Sequence, residues 1–356
     1  MTSLSSRRAH VVGLGLIGSS VALALRAAGW AVTGSDLDAP VERAALEGKV
    51  IDATQPHDPD LVVVATPARA VVDVANRLLA SLDRADVIVT DVAGVKGSIV
   101  QGIADPRFLA GHPMAGSELR GLAGARANLF EGCTWVLTPT ANTAPATYGT
   151  LHGILREIGA NVVAISASDH DRLVAIASHV PHLLAGSLMN EASRVAEEDA
   201  VLLQLAAGGF RDMTRVAAGD PSIWPDILFE NRLAITQALD DLERRLHGLR
   251  DALVNDDREL VTRSLQSAAT ARRHLPGRAL SSENLAYLRV KVSDQPGVLA
   301  SVTMAASELL VNIYDIEIAH GIEGAAGTLL LAIDAQQADT FMDELARRGF
   351  HVVRER

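Results

Sequence analysis

The chain is short of three things, and each shortage removes a class of explanation. Cys133 is the only cysteine among 356 residues, so neither an intrachain disulfide nor a cysteine-built zinc cluster can form. That usage fits a reducing cytoplasm and makes Cys133 a buried structural thiol. Lysine is almost absent, with only Lys49, Lys96 and Lys291, and the formal net charge is −11. Nucleic-acid affinity rests on clustered Lys and Arg, so polyanion binding is disfavoured and arginine must serve wherever an anion is held. Hydrophobic residues make up 48%, yet no Lys/Arg-poor apolar run reaches the roughly 18 residues that span a bilayer. The opening "MTSLSSRRAHVVGLGLIG" carries the paired arginines of a signal peptide, but Gly13, Gly15 and Gly18 interrupt its apolar part, which reads as a first strand.

Two or three domains are expected at this length. From residue 8 to about 166, short β-branched runs ("HVVGLG", "WAVTGSD", "LVVVAT", "DVIVTD", "CTWVLTP", "NVVAIS") alternate with helix-length segments. That alternation predicts a parallel, doubly wound α/β sheet over 1–166. Strand signals vanish over 167–275, where apolar residues fall at three- and four-residue steps, as in Leu239, Leu242, Leu246, Leu249 and Leu253. This middle region is expected to be all-α. "PGRALSSEN" at 276–284 reads as a linker. Over 285–356 the order is strand, helix, strand, strand, helix, strand, a small α+β domain of βαββαβ type.

Gly13, Gly15 and Gly18 have the GxGxxG spacing, directly after a strand and at the start of an apolar helix. In that context the first glycine permits a tight turn, the second lets backbone approach a pyrophosphate, and the third lets helix pack on sheet. The helix N-terminus around Leu16 and Ile17 then faces the negative charge. A second strand ends at Asp36, where a carboxylate hydrogen-bonds an adenosine ribose 2′-hydroxyl and repels a 2′-phosphate; "LDAPVE" after it offers no arginine, so NAD is favoured over NADP. Two further strand ends, at Thr66 and Pro67 and at Asp91 and Gly94, lie where ligands bind in such Rossmann-type sheets.

"GHPMAGSELRG" (111–121) places His112 between a glycine and a proline, and the reading is a loop at the carboxyl end of a strand, on the nicotinamide side. "SHVPH" adds His179 and His182, and "FRDMTRVAAGDPSIW" adds Arg211, Asp212, Arg215 and Trp224. A metal on the two histidines is discounted, since Pro181 lies inside the spacing and no HExxH-type partner is present.

The ordered set "GLGLIG", "TDVAGVKG", "GHPMAGSE", "SHVPH" and "FRDMTRVAAGDPSIW", spanning about residues 9–275, resembles the prephenate dehydrogenase family of tyrosine biosynthesis, which includes arogenate and cyclohexadienyl dehydrogenases. The resemblance implies an NAD-dependent oxidoreductase that oxidatively decarboxylates prephenate to 4-hydroxyphenylpyruvate. It makes His112 the catalytic histidine, Arg215 the carboxylate-binding arginine and His182 a contact to the substrate side chain. His179 would orient neighbours. Glu118 and Asp212 match acidic residues near the pocket mouth, with Ser117 a hydroxyl donor beside them. Lys96 either holds the anionic substrate or is an exposed lysine at a helix start. Many family members carry serine where this chain has Gly94; without that hydroxyl, His112 needs another orienter, a backbone carbonyl, water or Asp91.

The C-terminal "SDQPGVLASV" and "NIYDIEI" resemble an ACT domain, which implies feedback sensing, with tyrosine the natural effector and Asp294, Gly297 and Asn312 at the ligand positions. A module that only dimerises is the competing reading. The expected assembly is a homodimer through the helical region. Three rivals stand against this assignment: an arogenate dehydrogenase, a β-hydroxyacid dehydrogenase and a non-catalytic NAD or amino-acid sensor. The second depends on a helical-region lysine, and residues 166–280 contain none.

Overall fold

The computed structural model describes residues 7–116, 119, 121–199, 201–273, 285–293, 295, 297–320 and 327–354. It divides into two compact units, Met1–Arg244 and Arg245–Arg356.

Seven strands build the first unit's sheet: β1 (Arg8–Val12), β2 (Ala31–Ser35), β3 (Leu61–Val64), β4 (Ile88–Asp91), β5 (Phe108–Pro113), β6 (Thr134–Thr138) and β7 (Asn161–Ala164). Their order is β2-β1-β3-β4-β5-β6-β7, parallel throughout except for the antiparallel pair β5 and β6. The expected parallel, doubly wound sheet is therefore present, with one inversion. β3 shows why its sequence is an unbroken apolar run. Leu61 and Val63 enter the core under the helix Leu16–Ala27, while Val62 and Val64 enter the core under the helix Ala68–Ser81. A strand buried on both faces has no polar side to alternate with. Because β1 lies between β2 and β3, the sheet order reverses there, and the carboxyl ends of β1 and β3 border the crevice where such sheets take ligands.

After β7 the first unit is helical. A continuous run passes from an α-helix at Ala167–Val174 through a π-turn at Ala175–His179 into an α-helix at Val180–Glu198. Pro181 has no N–H to continue the regular ladder, and a wider turn just before it absorbs the defect. Within Ala167–Glu197 an 18-residue window reaches a mean hydropathy of 1.2, long and apolar enough by length and composition alone to cross a membrane, contrary to the expectation that no run qualifies. The segment's charged residues flank it at both ends, and Ser178, His179, His182 and Ser187 interrupt the apolar stretch between, so no uninterrupted run marks it. Leu173, Ile176, Leu184 and Leu188 on it are exposed in the single chain. Among the described residues no strand lies between Ala164 and Leu285, as periodicity predicts.

The second unit holds the end of the helix Arg232–Val254, the helix Arg258–Arg273, and a four-stranded antiparallel sheet of β8 (Leu285–Val292), β9 (Ile313–His320), β10 (Gly327–Asp334) and β11 (His351–Arg354), in the order β11-β8-β10-β9. With the helices Val298–Glu308 and Ala338–Arg347 this makes the βαββαβ sequence, around a core including Leu288, Val302, Leu331 and Phe341. Gly297 sits at φ +93° as the cap of the first of these helices, a conformation suited to glycine. Asn312 is exposed just before β9. Asp294 and the linker 276–284 lie outside the described residues.

Candidate active site

The glycine loop has the geometry its spacing predicts. Gly13 turns at φ +95°, and a Cβ there would lie 2.5 Å from the Ala65 carbonyl oxygen at the end of β3. A Cβ on Gly18 would overlap the Gly13 carbonyl oxygen at 1.9 Å, so the helix can start against the loop only as glycine. Gly15 faces open space, with nothing within 4 Å of where its Cβ would be. The first-turn N–H groups at Leu16 and Ile17 have no intrahelical acceptor and carry the positive end of the helix dipole. Asp36 is tied to this loop: its carboxylate accepts the Leu14 N–H at 2.7 Å and the Asp38 N–H at 2.9 Å. At the end of β3 the Thr66 hydroxyl is buried without a hydrogen-bond partner. An approachable loop, a positive helix end, an oriented carboxylate and an orphaned hydroxyl together fit a dinucleotide.

His112 is in a strand, not a loop. Residues 111–113 continue β5, pairing with β6 through His112↔Val136 and Pro113↔Trp135. The Gly and Pro that suggest a loop have other reasons. β5 leaves β4 after Thr90↔Leu109, so Pro113 ends the strand beyond its last β4 partner, where a missing N–H is tolerated. Gly111 is needed for close approach, because a Cβ would lie 2.9 Å from Trp135 Nε1 and 3.1 Å from the Asp91 carbonyl oxygen.

Two polar networks surround His112. The first is built on Asp91, fully buried at the end of β4. Its carboxylate accepts the Ala93 N–H at 2.9 Å, the Gly111 N–H at 3.1 Å and the Lys96 ammonium. It thus clamps β4, the 92–96 loop and β5 together, and supplies no bond to His112. Lys96 is a correction to both of its expected roles. It is neither exposed nor open to substrate, but completely buried in the ion pair with Asp91. Burial lowers its pKa, against the opposing pull of Asp91 and Asp171.

The second network answers what orients His112 in the absence of a serine at 94. His112 Nδ1 lies 2.8 Å from Nε2 of His170, and His170 Nδ1 lies 2.8 Å from the Asp171 carboxylate. Asp171 is in turn held by the N–H groups of Lys96 at 2.8 Å and Gly97 at 2.7 Å. Burial pushes the His112 pKa well below the ordinary histidine value, with Lys96, His170 and His179 acting in the same direction, so the ring is neutral. A Cβ on Gly94 would sit 3.8 Å from both Nε2 and Cε1 of His112, an ordinary contact, so the missing serine is not excluded sterically.

His179 is buried, its Nδ1 3.2 Å from the Asn231 amide nitrogen, and that same nitrogen donates to the Asp171 carbonyl at 2.8 Å. Burial lowers its pKa to about 4. Its ring is enclosed at 2% exposure, meeting Trp224 edge-on with centroids 6.4 Å apart. His182, three residues on, is partly exposed and stacks on Trp224 with ring centroids 3.6 Å apart. The 3₁₀ turn Arg215–Ala218 packs on the same helix, and Gly219 abuts His182 and Trp224, which brings the Arg215 turn to the His182 side of the site. Arg215 and Asp212 are both exposed. Ser117 and Glu118 lie outside the described residues. Cys133, expected buried, is half-buried, and burial raises its thiol pKa.

His170, Asp171 and Asn231 are the residues that sequence reasoning missed. His170 is 58 positions from His112, and "SASDHDRLV" reads as a polar helix start with Ser166 as its cap, so no local spacing signals a partnership.

Comparison with known proteins converges on one family. Residues 21–164 match the nucleotide-binding domain of prephenate dehydrogenase and residues 166–267 match its dimerization domain. A prephenate dehydrogenase of Bacillus subtilis (strain 168) is 32% identical over 340 residues, covering 91% of each chain. The crystal structure of prephenate dehydrogenase from A. aeolicus in complex with hydroxyphenyl propionate and NAD+ superposes with a TM-score of 0.71 at 30% identity, covering 76% of this chain and 99% of that one. Synechocystis arogenate dehydrogenase superposes with a TM-score of 0.64 at 31% identity, over 74% of this chain and 98% of that one.

Proposed function

Because the chain belongs to the prephenate dehydrogenase family and is therefore an NAD-dependent oxidoreductase, we propose that it converts prephenate to 4-hydroxyphenylpyruvate and carbon dioxide, with His112 as the base. The carrying observation is that His112 stands at the same carboxyl edge of the sheet as Gly13, Thr66 and Gly94, as a neutral imidazole with one ring nitrogen already engaged. NAD+ bound at the glycine loop would accept the hydride from C4 of the substrate.

Neutral His112 accepts the C4 hydroxyl proton at its uncommitted nitrogen as the C4 carbonyl forms. Loss of the ring carboxylate as carbon dioxide then leaves a phenolate oxygen, to which the same proton returns, so no net proton is taken up by the protein. The second carboxylate, on the pyruvyl side chain, needs a cation; Arg215 offers a planar fork for it, and His182, held flat on Trp224, offers an imidazole beside it. Asp212 belongs to the rim of that site, and the family resemblance assigns Ser117 and Glu118 to substrate binding as well. Leu16, Ile17 and the glycines take the pyrophosphate, Asp36 the ribose, and Thr66, Pro67 and Gly94 the nicotinamide end. Asp91 acts here by holding Gly111 and Lys96 rather than by touching the cofactor.

In this reading 1–166 binds the nucleotide, 167–275 binds substrate and pairs two protomers, 276–284 is a linker, and 285–356 is an ACT-like regulatory module that takes tyrosine through Asp294, Gly297 and Asn312. The exposed Leu173, Ile176, Leu184 and Leu188 support a homodimer through the helical region, and the enzyme is expected in the cytoplasm. The test is a pair of variants. His112→Asn lowers kcat by at least about 10²-fold with NAD affinity little changed, and Arg215→Ala chiefly raises the prephenate KM. Full turnover retained in both variants would overturn these roles for His112 and Arg215, whereas a parent protein that binds NAD without oxidising prephenate or arogenate would be the non-catalytic sensor.

A further inference from the structure

Two imidazole nitrogens 2.8 Å apart require one proton between them, and the surroundings of His170 decide on which ring it resides. Asp171 is occupied by the N–H groups of Lys96 and Gly97, so it is a carboxylate and can only accept from His170. A His170 ring with a single proton therefore carries it on Nδ1, facing Asp171, and its Nε2 carries the lone pair. His112 must donate Nδ1–H to it, which leaves Nε2 of His112 bare on the side facing Gly94. His170 is completely buried, and Gly97 is fixed by the same carboxylate, since a Cβ there would lie 2.8 Å from Asp171 Oδ2.

We propose that His170 is the positioning residue for this reaction, fixing His112 in the Nδ1–H tautomer and taking over its positive charge during proton transfer, with Asp171 as the anchor. This rests on His112 being the base. As the substrate hydroxyl proton bonds to His112 Nε2, the proton on His112 Nδ1 passes to His170 Nε2. The positive charge then lies beside the Asp171 carboxylate instead of on His112, whose ring is near Lys96 and His179. Both transfers reverse when the phenolate oxygen reclaims the proton. In this chain the His170–Asp171 pair thus does the orienting that a hydroxyl at position 94 would do.

Ring-nitrogen NMR of the ¹⁵N-histidine-labelled intact enzyme tests this without turnover, with the His112 signal assigned by its absence in His112→Asn. The expected result is His112 protonated at Nδ1 and bare at Nε2; the opposite tautomer overturns the proposal whether or not prephenate is the substrate. In steady-state assays His170→Phe, which keeps the ring shape, is expected to lose about 10²-fold in kcat while the KM values for NAD+ and prephenate stay within about threefold. His170→Gln, whose amide oxygen can still accept from His112 but cannot take the charge, is expected to recover to within about tenfold of the parent. A His170→Phe enzyme with kcat within about threefold of the parent, or with its whole loss in KM, contradicts the positioning role. If His170→Phe does not fold, the tautomer and the His170→Gln kinetics decide.

Discussion

A histidine that must accept a proton is spoiled by carrying one beforehand, and the residues around His112 guard against that. Burial disfavours its charge most, and the Lys96 ammonium acts in the same direction. Two other histidines are held neutral by burial: His179 and His10, the latter lodged in β1 between the hydroxyls of Thr33 at 2.8 Å and Ser35 at 3.2 Å, each with its pKa lowered to about 4. The consequence is a stability that depends on pH. Unfolded histidines protonate near 6.5, whereas these stay neutral in the fold to about 4, so their contribution is complete above pH 6.5 and is lost as pH falls towards 4. Each withdraws about 1.4 kcal/mol per pH unit inside that window. Denaturant titrations from pH 7 to pH 5 should show stability falling on acidification, and His10→Gln should flatten the slope; a pH-independent midpoint would contradict the assignment. At this scale the glycine loop and Asp36 were legible, because their chemistry depends on short fixed spacings. The Asp91–Lys96 pair and the His170–Asp171 pair were not, because burial and long-range partners decide what those charged residues do.

Among the elements, β5 is where reading and structure part most sharply. Glycine and proline flanking a histidine imply a loop when only local preference is weighed. The antiparallel partner β6 and the Asp91 carboxylate make a strand of it instead. Gly111 then serves packing rather than turning. Gly111→Ala would put a methyl group 2.9 Å from Trp135 Nε1 and 3.2 Å from the Thr90 hydroxyl, and should cost about 1–3 kcal/mol of stability through overpacking. Because the next residue is His112, kcat should fall with it, and a crystal structure should show β5 displaced from β4. An alanine variant of parental stability and rate would show the close approach to be dispensable. The alternation of strands and helices to residue 164 was readable because a sheet covered on both faces leaves unmistakable apolar runs. The β5–β6 inversion left no such mark, since strand direction changes no side-chain pattern.

At the scale of the molecule the outstanding feature is apolar surface that one chain leaves uncovered. Leu173, Ile176, Leu184 and Leu188 lie along the run that carries the His170–Asp171 pair near its start, and Phe229 and Leu233 add to the exposed apolar side chains of the first unit. The proposed homodimer would bury them, since they lie in a segment matched to a dimerization domain. Sedimentation of Leu184→Asp/Leu188→Asp should then report monomers where the parent is a dimer, and an unchanged mass would move the interface elsewhere. That helical character was evident from three- and four-residue steps, while the uncovered face was not, since periodicity does not say which apolar residues stay outside. The central claim concerns chemistry, and one measurement bears on it most directly: initial rates of NADH formation by the purified enzyme with prephenate and with arogenate under matched conditions. The expected result is a higher kcat/KM for prephenate with NAD+, abolished in His112→Asn; a tenfold or greater preference for arogenate, about 1.4 kcal/mol of transition-state discrimination, would contradict it.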